Sequence, residues 1–179
     1  MSPGEAIKLW WQYLEPLGRQ GYKLISPAPT NGPDGEAWLK QFVNGCKGCK
    51  IDGIATHFYG TDAERLIAHI KKYRETFKRQ IWLTEFACQN FSGGAQCSKD
   101  QVRAFMKRTT QYMDQQSWVS LYCWFGAYFF SRSFEHVLKL FLGSLLEDAM
   151  YNVNRANQLA NGDSTPNALG RLYLGLDKW

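Results

Sequence analysis

No run in this chain is long or apolar enough to cross a bilayer as a helix, so no membrane span is expected. The first residues, Met1-Ser2-Pro3-Gly4-Glu5, form neither the basic nor the apolar region of a secretory leader, and no signal peptide is expected within the chain. Histidine is scarce, limited to His57, His69 and His136. Cys46 and Cys49 have the spacing of a zinc or redox pair, but no second pair of matching spacing follows and the histidines complete no tetrahedral set. A metal site is therefore not expected. The chain also lacks low-complexity segments and an excess of acid, carrying 21 basic and 16 acidic residues. The densest basic run, Lys71-Lys72-Tyr73-Arg74 with Lys78-Arg79, falls on one amphipathic helix and its exit, where a solvated face accounts for it. No nucleic-acid partner is expected.

What is present suits one packed domain: 179 residues, 45% hydrophobic and 21% charged. The aromatic share, 15%, serves a core first and flat sugar platforms second. Cys88 and Cys97 bracket the turn-rich Ser92-Gly93-Gly94-Ala95 and could close it as a disulfide in an oxidising compartment. That leaves an odd cysteine, Cys123, which is expected to be buried in an apolar strand.

Ile81-Trp82-Leu83-Thr84-Glu85-Phe86-Ala87-Cys88 reads as a strand buried on both faces. Strict alternation puts Ile81, Leu83 and Glu85 on one face and Trp82, Thr84 and Phe86 on the other. Glu85 then points where a core leucine belongs. An unpaired buried carboxylate is costly, so Glu85 is neutral, paired, or at a solvated strand mouth; a plain pair with a Lys or Arg at the strand end satisfies the same demand.

Three further strands are expected, at Tyr22 to Ser26, at Ile51 to Tyr59 and at Trp118 to Phe125. On the second of these, Gly53 and Ala55 share a face with His57 and Tyr59, the pattern of a crowded interior opening into a polar site. Helices fall between and beyond the strands. One starts at Ser2-Pro3 and stops near Pro16-Leu17-Gly18, and one carries Trp38, Leu39 and Phe42. Another runs from Thr61 through Tyr73, and one is opened by a Ser98/Gln101 capping box. Ser133 to Met150 has a helical stripe, Asn152 to Asn157 is loop-like, and Thr165-Pro166 starts a last short helix. The βα period of about thirty residues fits a parallel barrel or a doubly wound sheet. An eight-fold barrel usually needs about 250 residues, so four strands amount to half of one.

Several motifs in order resemble the fungal glycoside hydrolase family 128, the alkali-sensitive-linkage-protein-like hydrolases. They are Ser26-Pro27-Ala28, Trp38-Leu39-Lys40-Gln41-Phe42, Cys46-x-x-Cys49, Ile51 to Gly60, Ile81 to Cys88 and Trp124-Phe125-Gly126. The resemblance runs from Met1 to about Ala127 and resumes from about Met150 to Leu174. It implies an α/β fold, an incomplete (β/α)8 TIM barrel of about strands 5 to 8 with their helices. It also implies retaining cleavage of β-1,3-glucan by two glutamates, with Glu85 as the nucleophile. His57 or Tyr59 would hydrogen-bond the nucleophile or a sugar hydroxyl, and Trp124 would floor the site as a stacking platform. No metal or organic cofactor is called for, and the implied location is extracellular or cell wall.

Two departures from the family pattern stand out. The Asn-Glu-Pro segment that supplies the acid/base precedes the helix that starts here at Ser2, and Glu5 and Glu15 cannot replace it because both lie on the helix behind the sheet. Tyr128 to Ala149 is inserted where the family passes almost directly onward. The expected activity of the chain alone is therefore doubtful, and the rival reading is a non-catalytic β-glucan-binding cell-wall protein. Self-association through exposed sheet edges is expected as well.

Overall fold

The computed structural model describes residues 1–126, 153–161 and 165–179. Their contacts form two compact units, one of Met1–Phe58, Glu64–Phe86 and Tyr112–Cys123, the other of Tyr59–Ala63, Ala87–Gln111 and the described part of Trp124–Trp179. The helix expected over Ser133 to Met150, and with it the insertion, lies outside the described residues.

The first unit opens with α1 (Pro3–Leu9), whose N-terminus is closed by a reciprocal Ser2/Glu5 capping box. The helical run ends at Arg19, one residue beyond the expected stop near Pro16-Leu17-Gly18. A wide π segment at Trp10–Leu14 shifts the hydrogen-bond register, and α2 (Glu15–Arg19) continues with Pro16 in its first turn, where a missing N–H is tolerated. Helix α3 (Pro33–Gly45) buries Leu39 and Phe42 completely, with Trp38 stacked on Phe42 at 5.7 Å and Trp10 edge-on at 5.5 Å. The Cys46–Cys49 pair that follows is a disulfide.

Strands β1 (Gly53–Gly60), β2 (Gln80–Cys88) and β3 (Val119–Trp124) lie in that order in one parallel sheet. Helices α4 (Ala63–Phe77) and α5 (Lys99–Asp114) form the crossovers, as parallel neighbours require. Leu66, Ile70 and Tyr73 of α4 are fully or almost fully buried, as are Ile81 and Leu83 of β2.

The strand expected at Tyr22 to Ser26 is reduced to one parallel bridge, Ile25 to Gly53. Pro27 and Pro29 remove two ladder donors there, and side chains complete the pairing: Leu24 N–H donates to Asp52 Oδ2 (2.7 Å) and Ala55 N–H to Ser26 Oγ (2.9 Å).

In the second unit the Ser98/Gln101 capping box opens α5 as expected. Cys88 and Cys97 are joined, and the polar run after Val153 tightens into a 3₁₀ turn at Arg155–Asn157. The last helix, α6 (Ala168–Tyr173), starts later than Thr165-Pro166. Pro166 is held in an antiparallel bridge to Ala160, and Asn167 caps the helix through Gly170 N–H (3.0 Å). Cys123 is exposed on β3, not buried, because no described element covers that side of the strand.

Candidate active site

The first unit brings two of the expected site residues together. His57 Nδ1 of β1 lies 3.3 Å from Glu85 Oε2 of β2. Strict alternation does not deliver this contact. A Cβ placed at Gly53 would stand 2.9 Å from the Trp82 ring, so Trp82 faces the side of β1 that carries Gly53, Ala55 and His57. Trp82 and Glu85, an odd number of residues apart on β2, thus both reach the side of β1 that carries Gly53 and His57. The burial pattern agrees: Ile81 and Leu83 are wholly enclosed, whereas Thr84 and Glu85 are both half-buried. Glu85 thus does not share the core-facing side of Ile81 and Leu83. The adjacent Thr84 hydroxyl is buried with no hydrogen-bond partner among the described residues, which marks this end of β2 as a polar site inside the fold.

The electrostatics of the pair follow from unequal exposure, 21% for the His57 side chain and 37% for that of Glu85. Burial lowers the His57 pKa below its ordinary 6.5, and the Glu85 carboxylate opposes that shift in part. The imidazole is thus drawn toward its neutral form, beside a Glu85 side chain that keeps about a third of its surface exposed. Of the other two acids that the sequence brings near this end of the chain, Glu15 accepts Trp10 Nε1–H (3.2 Å) and Lys50 N–H (3.0 Å), and Glu5 is engaged in its cap. Both are structural. Among the described residues there is no cluster of acidic, histidine or cysteine side chains that could hold a metal.

The other two expected residues belong to the second unit. Tyr59, half-buried, meets Phe91 and Phe125 edge-on at 5.2 and 5.9 Å. Trp124 is only 3% exposed; its indole N–H donates to the Asn157 carbonyl (2.9 Å) and its ring lies against Phe105. A ring so enclosed presents no face for stacking, and its observed place is that of a core residue.

A residue that sequence reading misses, Asn157, organises this unit. Wholly buried, it accepts Cys88 N–H through Oδ1 and donates Nδ2–H to the Cys88 carbonyl, both at 3.0 Å. One side chain thus stands in for a neighbouring strand at the end of β2.

A family model described as the glycosyl hydrolase catalytic core matches residues 1–173. The chain belongs to that family. It is 41% identical over 124 residues, 68% of its length, to alkali-sensitive linkage protein 1 of Schizosaccharomyces pombe. An exo-β-1,3-glucanase of GH128 subgroup V from Cryptococcus neoformans superposes with a TM-score of 0.77 at 26% identity over 97% of this chain. An endo-β-1,3-glucanase of GH128 subgroup I from Amycolatopsis mediterranei, solved with laminaritriose, gives 0.72 at 28% identity over 99%. The catalytic domain is thus GH128-like, as the motifs imply. The chain spans 23% of the curated relative's length and 62% and 66% of those two solved chains.

Proposed function

We propose that this chain carries the nucleophile half of a retaining β-1,3-glucan hydrolase, in which β1 to β3 and the bridge at Ile25 form one side of a (β/α)8 barrel. The observation that carries the reading is the His57–Glu85 contact toward the end of β2, within a GH128-like domain. Glu85 attacks the anomeric carbon to give a glycosyl ester, and His57 holds the carboxylate in place. The second carboxylate of the double displacement stands about 5–5.5 Å from the first in a complete retaining site, and this reading expects it ahead of α1. Tyr59 serves a sugar hydroxyl. The two disulfides suit an extracellular or cell-wall setting.

A positioned general acid contributes roughly 10²–10⁴-fold, so the 179-residue chain should release sugar from laminarin far more slowly than a complete relative. A glucosyl fluoride fluorinated beside the anomeric carbon has a leaving group that needs no acid. It should label the peptide containing Glu85, and Glu85→Gln should abolish the label. Retention on insoluble β-1,3-glucan with no labelling would instead support a non-catalytic glucan-binding protein. Release of sugar from laminarin at the rate of an intact glucanase would overturn the assignment of the acid/base to a segment ahead of α1.

A further inference from the structure

The loop that follows directly on the strand of Glu85 is braced to a degree that its turn-rich composition does not suggest. The Cys88–Cys97 disulfide closes its base. Inside, Asn90 N–H donates to Gln96 Oε1 (3.0 Å), Gln96 Nε2–H returns to the Asn90 carbonyl (2.6 Å), and Ser92 N–H donates to Asn90 Oδ1 (2.8 Å). Gly93 adopts a positive φ of 82°, and a Cβ at Gly94 would stand 2.6 Å from Asn90 Nδ2. The base is tied down from outside as well. Asn154 N–H donates to Gln89 Oε1 and Asn154 Nδ2–H to the Cys97 carbonyl, both at 2.6 Å.

This frame presents one large apolar side chain, Phe91, to solvent at 58% exposure. A lone exposed phenylalanine is ordinary on a protein surface. Phe91 is not isolated: its ring meets Tyr59 edge-on, and Tyr59 in turn meets Phe125, so three aromatic rings from three separate segments adjoin. An edge-on contact leaves a ring face open, and the loop bonds hold that ring in place before any ligand arrives. Equatorially substituted β-glucosyl units offer a flat C–H face that complements such a surface. Little ordering is required on binding when the platform is already fixed.

We propose that Phe91 is a glucan-binding platform, a specificity-determining residue that stacks on a glucosyl unit of the substrate while the Tyr59 ring buttresses it from the side. The inference rests on the glucanase reading for the identity of the sugar, though not for the platform itself.

The test is affinity electrophoresis of the full chain and of Phe91→Ala and Phe91→Trp through gels containing soluble β-1,3-, β-1,6- or β-1,4-glucan. A thermal melt and a free-thiol count establish that each variant is folded with its disulfides intact. Phe91→Ala should weaken β-1,3-glucan retention roughly three- to tenfold, on the scale of an aromatic stacking contact, and Phe91→Trp should restore it. Undiminished β-1,3-glucan retention by Phe91→Ala overturns the platform and leaves the glucanase reading standing. Retention of only another glucan, lost in Phe91→Ala, upholds the platform and overturns the β-1,3 assignment. A wild-type chain that no glucan retards overturns both.

Discussion

His57 Nδ1 and Glu85 Oε2 stand 3.3 Å apart, with burial drawing the histidine toward its neutral form and the carboxylate pulling the other way. Removing the carboxylate removes the influence that opposes burial. In Glu85→Gln the His57 pKa should fall further below 6.5, because burial then acts without that counterweight. An imidazole titration followed by NMR reads this directly. A rise, or no change, would mean that the two side chains are not coupled in solution.

The strand that carries Glu85 is legible in the sequence because Ile81 to Cys88 is a short apolar run. Its facing is not: alternation assigns Glu85 to the Leu83 side, whereas the Gly53–Trp82 and His57–Glu85 contacts bring Trp82 and Glu85 to the same side of β1. His57 and Tyr59 are legible through the small residues that share their face. Asn157 is hidden in a polar run whose composition suits a loop, since nothing local tells a side chain that replaces a strand from one that faces water. The misreading of Cys123, expected to be buried, has a physical source. Whether a strand residue is enclosed depends on what packs over it, and that is decided by distant segments.

Asn157→Ala should destabilise the protein by about 2–4 kcal/mol, since it leaves the buried N–H and C=O of Cys88 unpaired at about 1–3 kcal/mol each with partial relaxation. Urea unfolding of the oxidised protein measures the change. A loss below about 0.5 kcal/mol, the range of an ordinary surface substitution, would remove Asn157 from its organising role.

Acid should weaken the first unit well before its carboxylates titrate. His69, buried against Phe58 and Tyr73 with Nε2 2.9 Å from the Thr56 hydroxyl, is pushed down to about 4 by burial. The folded state therefore keeps it neutral while the unfolded chain protonates it near 6.5. Its contribution is complete above about pH 6.5, declines as pH falls, and is gone once pH passes below the folded value, a total on the order of 3 kcal/mol. His57 acts in the same direction. Between pH 7 and 5 the loss should shrink in His69→Phe, as urea unfolding at several pH values would show; an unchanged slope would assign the effect elsewhere.

The edge of the sheet yields a prediction about assembly. Among the described residues β3 pairs with one strand only, β2, which makes it an edge strand of the sheet, and Trp124 N–H at its end donates to the Tyr173 hydroxyl (3.1 Å). Leu121 is 36% exposed and Cys123 is also exposed on that strand, whereas a strand of a closed barrel is paired on both edges and covered within. Charged side chains are the usual protection of such an edge, and Val119-Ser120-Leu121-Tyr122-Cys123-Trp124 has none. If the barrel reading is right, the isolated chain should self-associate, and Leu121→Lys should reduce association by placing a charge on the exposed strand. Light scattering on freshly purified protein, with reductant present so that Cys123 cannot cross-link chains while the oxidised state of the other four cysteines is checked by mass, separates strand pairing from thiol chemistry. A monodisperse monomer with a cooperative melt would show that this edge is satisfied within one chain, and the proposed half-barrel would then be wrong.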